Sequence, residues 1–150
     1  MGILNYTVEE IPASRFAYDR HIGEYGSLQQ VELMESFKVW VKKMNLRTAV
    51  YGIPQDNPSS TAKEKCRYDV GIMISGQEQI IKSAQLGIFN GGRFAVFLIE
   101  HTEEPLKQFW GRLPKIAQSE QFTLRTAPIV ERYKWEYVER HVCELLLPIE

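Results

Sequence analysis

Arg15-Phe16-Ala17 returns as Arg93-Phe94-Ala95, and Leu46-Arg47-Thr48-Ala49 returns as Leu124-Arg125-Thr126-Ala127. Both matches stand at one offset of 78 residues (93 − 15 and 124 − 46). Short identities arise by chance in a chain of this length, but two at a single spacing, with similar patterning between them, point to a duplicated unit. A looser likeness closes each copy. Cys66-Arg67-Tyr68-Asp69-Val70-Gly71-Ile72-Met73-Ile74 ends the first and Cys143-Glu144-Leu145-Leu146-Leu147-Pro148-Ile149 the second, with offsets of 77 for the cysteines (143 − 66) and 75 for Asp69 and Glu144 (144 − 69). The period exceeds that of solenoid repeats, so two half-domains sharing one core fit better than a stacked array. Repeat 1 is expected over about residues 1–76 and repeat 2 over about 88–150, within a single domain of residues 1–150.

Outward from the matches, each copy shows the same order of elements. Tyr6 to Ile11 alternates loosely, Pro12 interrupts it, and Arg15 to Ile22 resumes the alternation, which predicts strand, bend and strand. After Gly23-Glu24-Tyr25-Gly26, Ser27 is placed as an N-cap with Gln30 at the capping-box position, and a helix is expected to about Asn45. Leu33, Phe37, Trp40, Val41 and Met44 form its apolar stripe, which must face a sheet. Arg47 to Ile53 and Lys65 to Ser75 follow as strands across a Pro54 to Thr61 loop, giving β-α-β-β. Gln77 to Ile88 is read as a connector, and Asn90-Gly91-Gly92 as a turn or bulge. The second copy repeats the order. A strand at Arg93 to Glu100 leads to a helix over 104–118 with Leu106, Phe109, Trp110, Leu113, Ile116 and Ala117 on one face. Pro114 is expected to kink or tighten its last turn. Strands at Pro128 to Lys134 and Val142 to Ile149 complete it, joined by a charged loop around Glu136 to Arg140. The fold class is therefore α+β, two tandem β-α-β-β units with antiparallel sheets.

The totals narrow the function. A chain of 150 residues buries roughly 70% of its unfolded surface as one domain. Net charge is −1 and no stretch collects basic residues, which argues against direct contact with nucleic acid. No run of about 18 apolar residues exists and the N-terminus lacks the order of a signal peptide, so a cytoplasmic protein without a membrane partner is expected. Cys66 and Cys143 show no metal spacing and are read as reduced, partly buried thiols. His21, His101 and His141 lie in separate elements without ligand spacing, so neither metal nor other cofactor is expected. Seven Tyr, seven Phe and three Trp supply aromatic surface suited equally to a core and to a small-molecule pocket.

The ordered set of Ala17-Tyr18 to Gly23-Glu24-Tyr25, Asp56-Asn57-Pro58 leading to Lys65-Cys66-Arg67-Tyr68-Asp69, Gly91-Gly92-Arg93-Phe94-Ala95-Val96, and Glu131-Arg132-Tyr133 followed by Glu144 to Ile149 resembles the GyrI-like small-molecule-binding domain over nearly the whole chain. This domain, also called SOUL-like, is built on an SHS2 tandem repeat. It occurs in stand-alone DNA gyrase inhibitor (SbmC-like) proteins and as the AraC-type effector-binding sensor of multidrug-responsive regulators. The resemblance implies a pseudo-twofold axis relating the two units, with both helices on one side of the sheets and an aromatic-lined cleft between them. It also implies a glutamate that meets cationic or polar ligands, and Glu131 in Pro-x-x-Glu-Arg-Tyr matches that position. One departure is Gly-Glu-Tyr at 23–25, where many members carry Gly-Pro-Tyr.

Alternation puts Ile129, Glu131 and Tyr133 on one face, where a carboxylate must meet a partner or line a wet cleft; otherwise Glu131 is a solvated edge group beside Arg132. Tyr133 is a candidate for stacking and hydrogen bonding to a ligand, or else a core tyrosine. Trp110 and its counterpart Trp40 sit on helical stripes, as cleft wall or core. Tyr25 belongs to the cleft mouth or to turn packing, and Tyr51 and Tyr68 to the inner strands as ligand contacts or sheet core. Arg67 and Asp69 are expected in cross-strand pairs. The resemblance implies three functions: capture of a small hydrophobic or cationic molecule, as in a drug or toxin response; a surface acting on DNA gyrase; and a hydrolase of electrophilic cyclopropane compounds. In the last, Glu131 is the general base and Tyr133 the hydrogen-bond donor.

Overall fold

A computed structural model describes residues 6–75 and 84–150 of the chain. They form a mixed α+β structure in which every named strand pair is antiparallel. The chain divides into two compact units, residues 13–90 and residues 1–12 with 91–150.

The 13–90 unit contains β2 (Ser14–Ile22), α1 (Leu28–Lys43), β3 (Val50–Pro54), β4 (Arg67–Ile74) and β5 (Gln85–Phe89), with strand order β5-β2-β4-β3. Ser27 caps α1 as expected, its Oγ accepting from Gln30 N–H (3.3 Å), while the Gln30 side chain reaches one residue past the capping-box position and accepts from Gly26 N–H (3.1 Å). Helix α1 ends where Asn45 turns left-handed at φ 55°, and it lies on β2, β3 and β4. Its buried residues are Met34, Phe37, Lys38 and Val41. Leu33 of the expected stripe is only half-buried and its neighbour Met34 takes the core position, since a one-residue step rotates a helix by only about 100° and sequence does not fix the centre of the buried face. Gly71 is required in β4, because a Cβ there would stand 2.4 Å from the Ala17 carbonyl oxygen and 2.7 Å from Phe16 Cζ.

The connector expected from Gln77 to Ile88 lies partly outside the described residues, and its end is a strand: β5 pairs with β2 from Gln85↔Tyr18 to Phe89↔Ser14. Its alternation, Leu86 and Ile88 exposed and Phe89 buried, is too short to separate from a linker by pattern alone.

The second unit contains β1 (Tyr6–Ile11), β6 (Gly92–Glu100), α2 (Glu103–Ser119), β7 (Val130–Tyr133), the short α3 (Trp135–Val138) and β8 (Val142–Ile149), ordered β1-β6-β8-β7. Each unit thus has the order flanking strand, first, last and middle strand of a β-α-β-β run. Strand β1 precedes the first run yet pairs with β6, and β5 precedes the second yet pairs with β2. The core joins Ala95, Phe97 and Ile99 of β6, Leu145, Leu147 and Ile149 of β8, and Phe109 and Ile116 of α2. Helix α2 runs through Pro114 to Ser119. The missing N–H forfeits one bond, and burial of Phe109 and Ile116 on either side of the proline holds the helix to the sheet. The charged loop expected at Glu136 to Arg140 instead contains α3 and turns at His141 with φ 54°.

Gly91 and Gly92 both take positive φ, 71° and 119°. The Arg125 guanidinium occupies the space a Gly92 side chain would need: a Cβ would lie 2.6 Å from its Nη2. Arg125 donates to the carbonyls of Ile149 (2.8 Å) and Arg93 (3.1 Å) and stacks over Phe94 at 5.0 Å. The repeated Leu-Arg-Thr-Ala thus ties the 120–129 segment to β6 and β8.

Candidate functional site

Strand β7 presents two chemically different faces, as a period of two demands. Val130 and Arg132 stand opposite Leu146 and Glu144 of β8 on one face. Ile129, Glu131 and Tyr133 belong to the other, where Ile129 packs against the α2 core. Tyr133 is 4% exposed, and its hydroxyl donates to Glu131 Oε1 at 2.8 Å. His101, between the end of β6 and the Thr102 N-cap of α2, brings Nε2 to 3.4 Å from the same hydroxyl, with ring centroids 5.1 Å apart at 65°. The half-buried Glu131 carboxylate therefore accepts a hydrogen bond from a neutral donor, the Tyr133 hydroxyl, which orients it. Trp110 stands on α2 beside the buried Phe109 and is 37% exposed.

Arg132 does not accompany Glu131. Its side chain, 4% exposed, forks between Glu144 (2.8 and 3.1 Å) and Glu9 of β1 (2.9 and 3.0 Å), and Lys134 adds a contact to Glu144 at 3.5 Å. Burial disfavours the Arg132 cation, but the hydrogen bonds to Glu9 and Glu144 outweigh it and raise its pKa above the ordinary value. The Arg132 hydrogen bonds hold Glu9 below the usual carboxylate range.

In the other unit, Asp69 forms the expected cross-strand pair, with Arg20 as its partner (2.7 and 2.9 Å) and Gln55 as a further donor (3.1 Å). Arg67 instead binds Asp56 side chain to side chain (2.8 and 3.0 Å), and its backbone N–H donates to the same carboxylate. These hydrogen bonds pull the Asp56 carboxyl down to about 2. The Tyr25 hydroxyl accepts from Asp56 N–H (3.0 Å) and donates to the Arg67 carbonyl (2.9 Å), so it closes the 54–67 loop onto the glycine turn. Tyr68 is buried with its ring 6.3 Å from Tyr25; Tyr51 is buried against Phe16 and Phe89; Trp40 is half-buried on α1 with its ring 5.5 Å from Phe37.

Among the candidates, Glu131 and Tyr133 are brought into direct contact, whereas Tyr25, Tyr51, Tyr68 and Trp40 belong to the 13–90 unit. His101 carried no sequence signal, since it reaches Tyr133 from a different element. Strand alternation already separates Arg132 from Glu131, but its carboxylate partners come from strands far apart in sequence. Among the described residues no group of three His, Cys, Asp or Glu could hold a metal ion, and both cysteines are buried thiols. No described helix is long and apolar enough to cross a membrane.

A sequence model of the GyrI-like small molecule binding domain matches residues 4–150. Over 149 residues the chain is 44% identical to YosT of Bacillus subtilis (strain 168), an SPbeta prophage-derived protein that carries the name of a transcriptional regulator; the match covers 98% of this chain and 100% of that protein. Among solved structures, the EcmrR C-terminal domain superposes with a TM-score of 0.71 at 14% identity over 99% of both chains. SAV2435 bound to tetraphenylphosphonium gives 0.64 at 13% identity, covering 98% of this chain and 94% of that one. A hydrolase from Listeria innocua gives 0.62 at 9% identity, covering 98% and 92%. These structural likenesses are likenesses of fold.

Proposed function

The chain belongs to the GyrI-like small molecule binding domain family, and on that premise we propose that it captures lipophilic aromatic cations, with Glu131 as the anionic contact. The observation that carries this is the half-buried Glu131 carboxylate on the apolar α2 face, oriented by the buried Tyr133 hydroxyl at 2.8 Å. A carboxylate in such surroundings loses hydration, and an organic cation restores the lost electrostatic energy while its rings gain apolar contact. Trp110, partly exposed on the same unit's helix, supplies a ring face for that contact. Capture of this kind suits a response to toxic amphipathic compounds.

The test uses tetraphenylphosphonium, the cation bound by SAV2435, and neutral triphenylphosphine oxide as its uncharged counterpart. Calorimetric titration of wild type and Glu131→Gln should show the phosphonium weakened by about 1–3 kcal/mol, the scale of a charge-assisted contact. The phosphine oxide should bind both proteins alike. Equal losses for the two compounds, or none, would remove Glu131 from ligand recognition.

The Tyr133–Glu131 hydrogen bond also favours a second reading, hydrolysis of an electrophilic cyclopropane compound. Glu131 would take a proton from water and the Tyr133 hydroxyl would support the leaving group. Incubation with an activated cyclopropane and mass analysis of the products separates the two: unchanged substrate leaves capture alone.

A further inference from the structure

We infer that His101 is a positioning residue of the Glu131 site, acting through Tyr133. The inference rests on the proposed role of Glu131 as the cation contact. An ionised carboxylate only accepts hydrogen bonds, and a tyrosine hydroxyl has one proton to give. Since Tyr133 Oη lies 2.8 Å from Glu131 Oε1, that proton points to the carboxylate, and toward His101 the phenolic oxygen only accepts. The ring nitrogen at 3.4 Å must then carry hydrogen, which fixes His101 with Nε2 protonated.

The direction of this chain matters because Tyr133 has one proton and stands between a carboxylate and an imidazole nitrogen that accepts only in its bare form. With Nε2 bare, His101 would draw the hydroxyl hydrogen to itself and Glu131 would lose the Tyr133 hydrogen bond. With Nε2 protonated, donation runs from His101 to Tyr133 to Glu131, and each bond polarises the next. The imidazole is well anchored for this task. The His101 backbone N–H donates to the His141 carbonyl at 2.6 Å, and the ring meets Tyr133 edge to face at 5.1 Å. Because His101 sits between β6 and α2, it also connects the carboxylate on β7 to the start of the helix that carries Trp110.

Two measurements test this. In the intact protein, a long-range proton–nitrogen correlation spectrum should find His101 Nε2 protonated; a bare Nε2 overturns the inference whatever the variants do. In titrations with tetraphenylphosphonium and triphenylphosphine oxide, His101→Phe keeps the edge-to-face ring and removes the donor, so phosphonium binding should weaken by about 3- to 10-fold, the scale of one hydrogen bond, with the phosphine oxide unchanged. His101→Gln, whose amide nitrogen can reach the same place, should restore phosphonium affinity to within about 2-fold of wild type, well inside that single-bond effect. In a Tyr133→Phe background, His101→Phe should have no further effect, because the relay is already cut. Wild-type phosphonium affinity in His101→Phe, equal loss of both compounds, or no restoration by glutamine overturns the role of His101 while Glu131→Gln still weakens the cation. If Glu131→Gln leaves the phosphonium untouched, the cation site itself fails, and the role of His101 with it.

Discussion

Arg132 shows how little a residue's sequence neighbours decide its partners. It is flanked by Glu131 and by Tyr133, yet it binds Glu144 and Glu9, because successive strand residues point to opposite faces. Without the guanidinium, Glu144 would lose both of its short hydrogen bonds and keep the longer contact to Lys134 at 3.5 Å. Arg132→Met should therefore cost about 3–5 kcal/mol in urea unfolding, since it takes from a buried carboxylate the partner that hydrogen-bonds both of its oxygens. Replacing Arg132 and Glu144 together by apolar residues should cost far less than Arg132→Met alone. At this scale the sequence identified Glu131 and Tyr133 as sharing a face, and their 2.8 Å hydrogen bond follows from that alternation. It could not supply His101 or Glu9, which arrive from other elements.

Caps and turns are the elements whose chemistry is most local, and they were the most legible. Ser27→Ala removes the side-chain acceptor of α1 and should cost about 1 kcal/mol. Gly92→Ala combines a φ of 119° with a contact on Arg125, and should cost about 1–3 kcal/mol in the same assay. Arg125→Ala opens that space, so the double variant should lose less than the sum of the two. The Asp56–Arg67–Tyr25 loop predicts a pH dependence. Asp56 has its carboxyl lowered from 3.8 to about 2 by Arg67, so its stabilising effect is complete above its ordinary pKa and is lost as pH falls through about 2. Glu9, also lowered by its arginine, acts with the same sign. Wild type should accordingly exceed Asp56→Asn in urea midpoint at neutral pH, with the gap closing only below its ordinary carboxyl range; a constant gap would show that the charge is not involved. Strand β5 and the four-residue α3 were missed: five residues at the end of a polar connector carry too little pattern to distinguish strand from linker, and one helical turn carries no period.

For the whole molecule, the placement of the flanking strands has a direct experimental signature. Residues 1–12 belong with 91–150, although they precede the first β-α-β-β run. Deleting residues 1–12 should speed hydrogen exchange at β6, whose Gly92 to Phe97 stand opposite Ile11 to Tyr6, and leave β2 protected by β4 and β5. Faster exchange at Ser14 to Ile22 instead would contradict the pairing.

The amino-acid order by itself determined the α+β class, the β-α-β-β runs, the α1 cap, the glycine turns and the face on which Glu131 and Tyr133 stand. Each of these depends on interactions within a few residues or on a regular period. Tertiary structure alone decided that β1 and β5 change places between units, that Arg132 gathers Glu9 and Glu144, and that His101 meets Tyr133. Apart from Arg132–Glu144, those pairings join residues 32 and even 123 positions apart, where chain closure sets no preference between one distant partner and another. Burial and hydrogen-bond geometry make that choice once the sheets have formed.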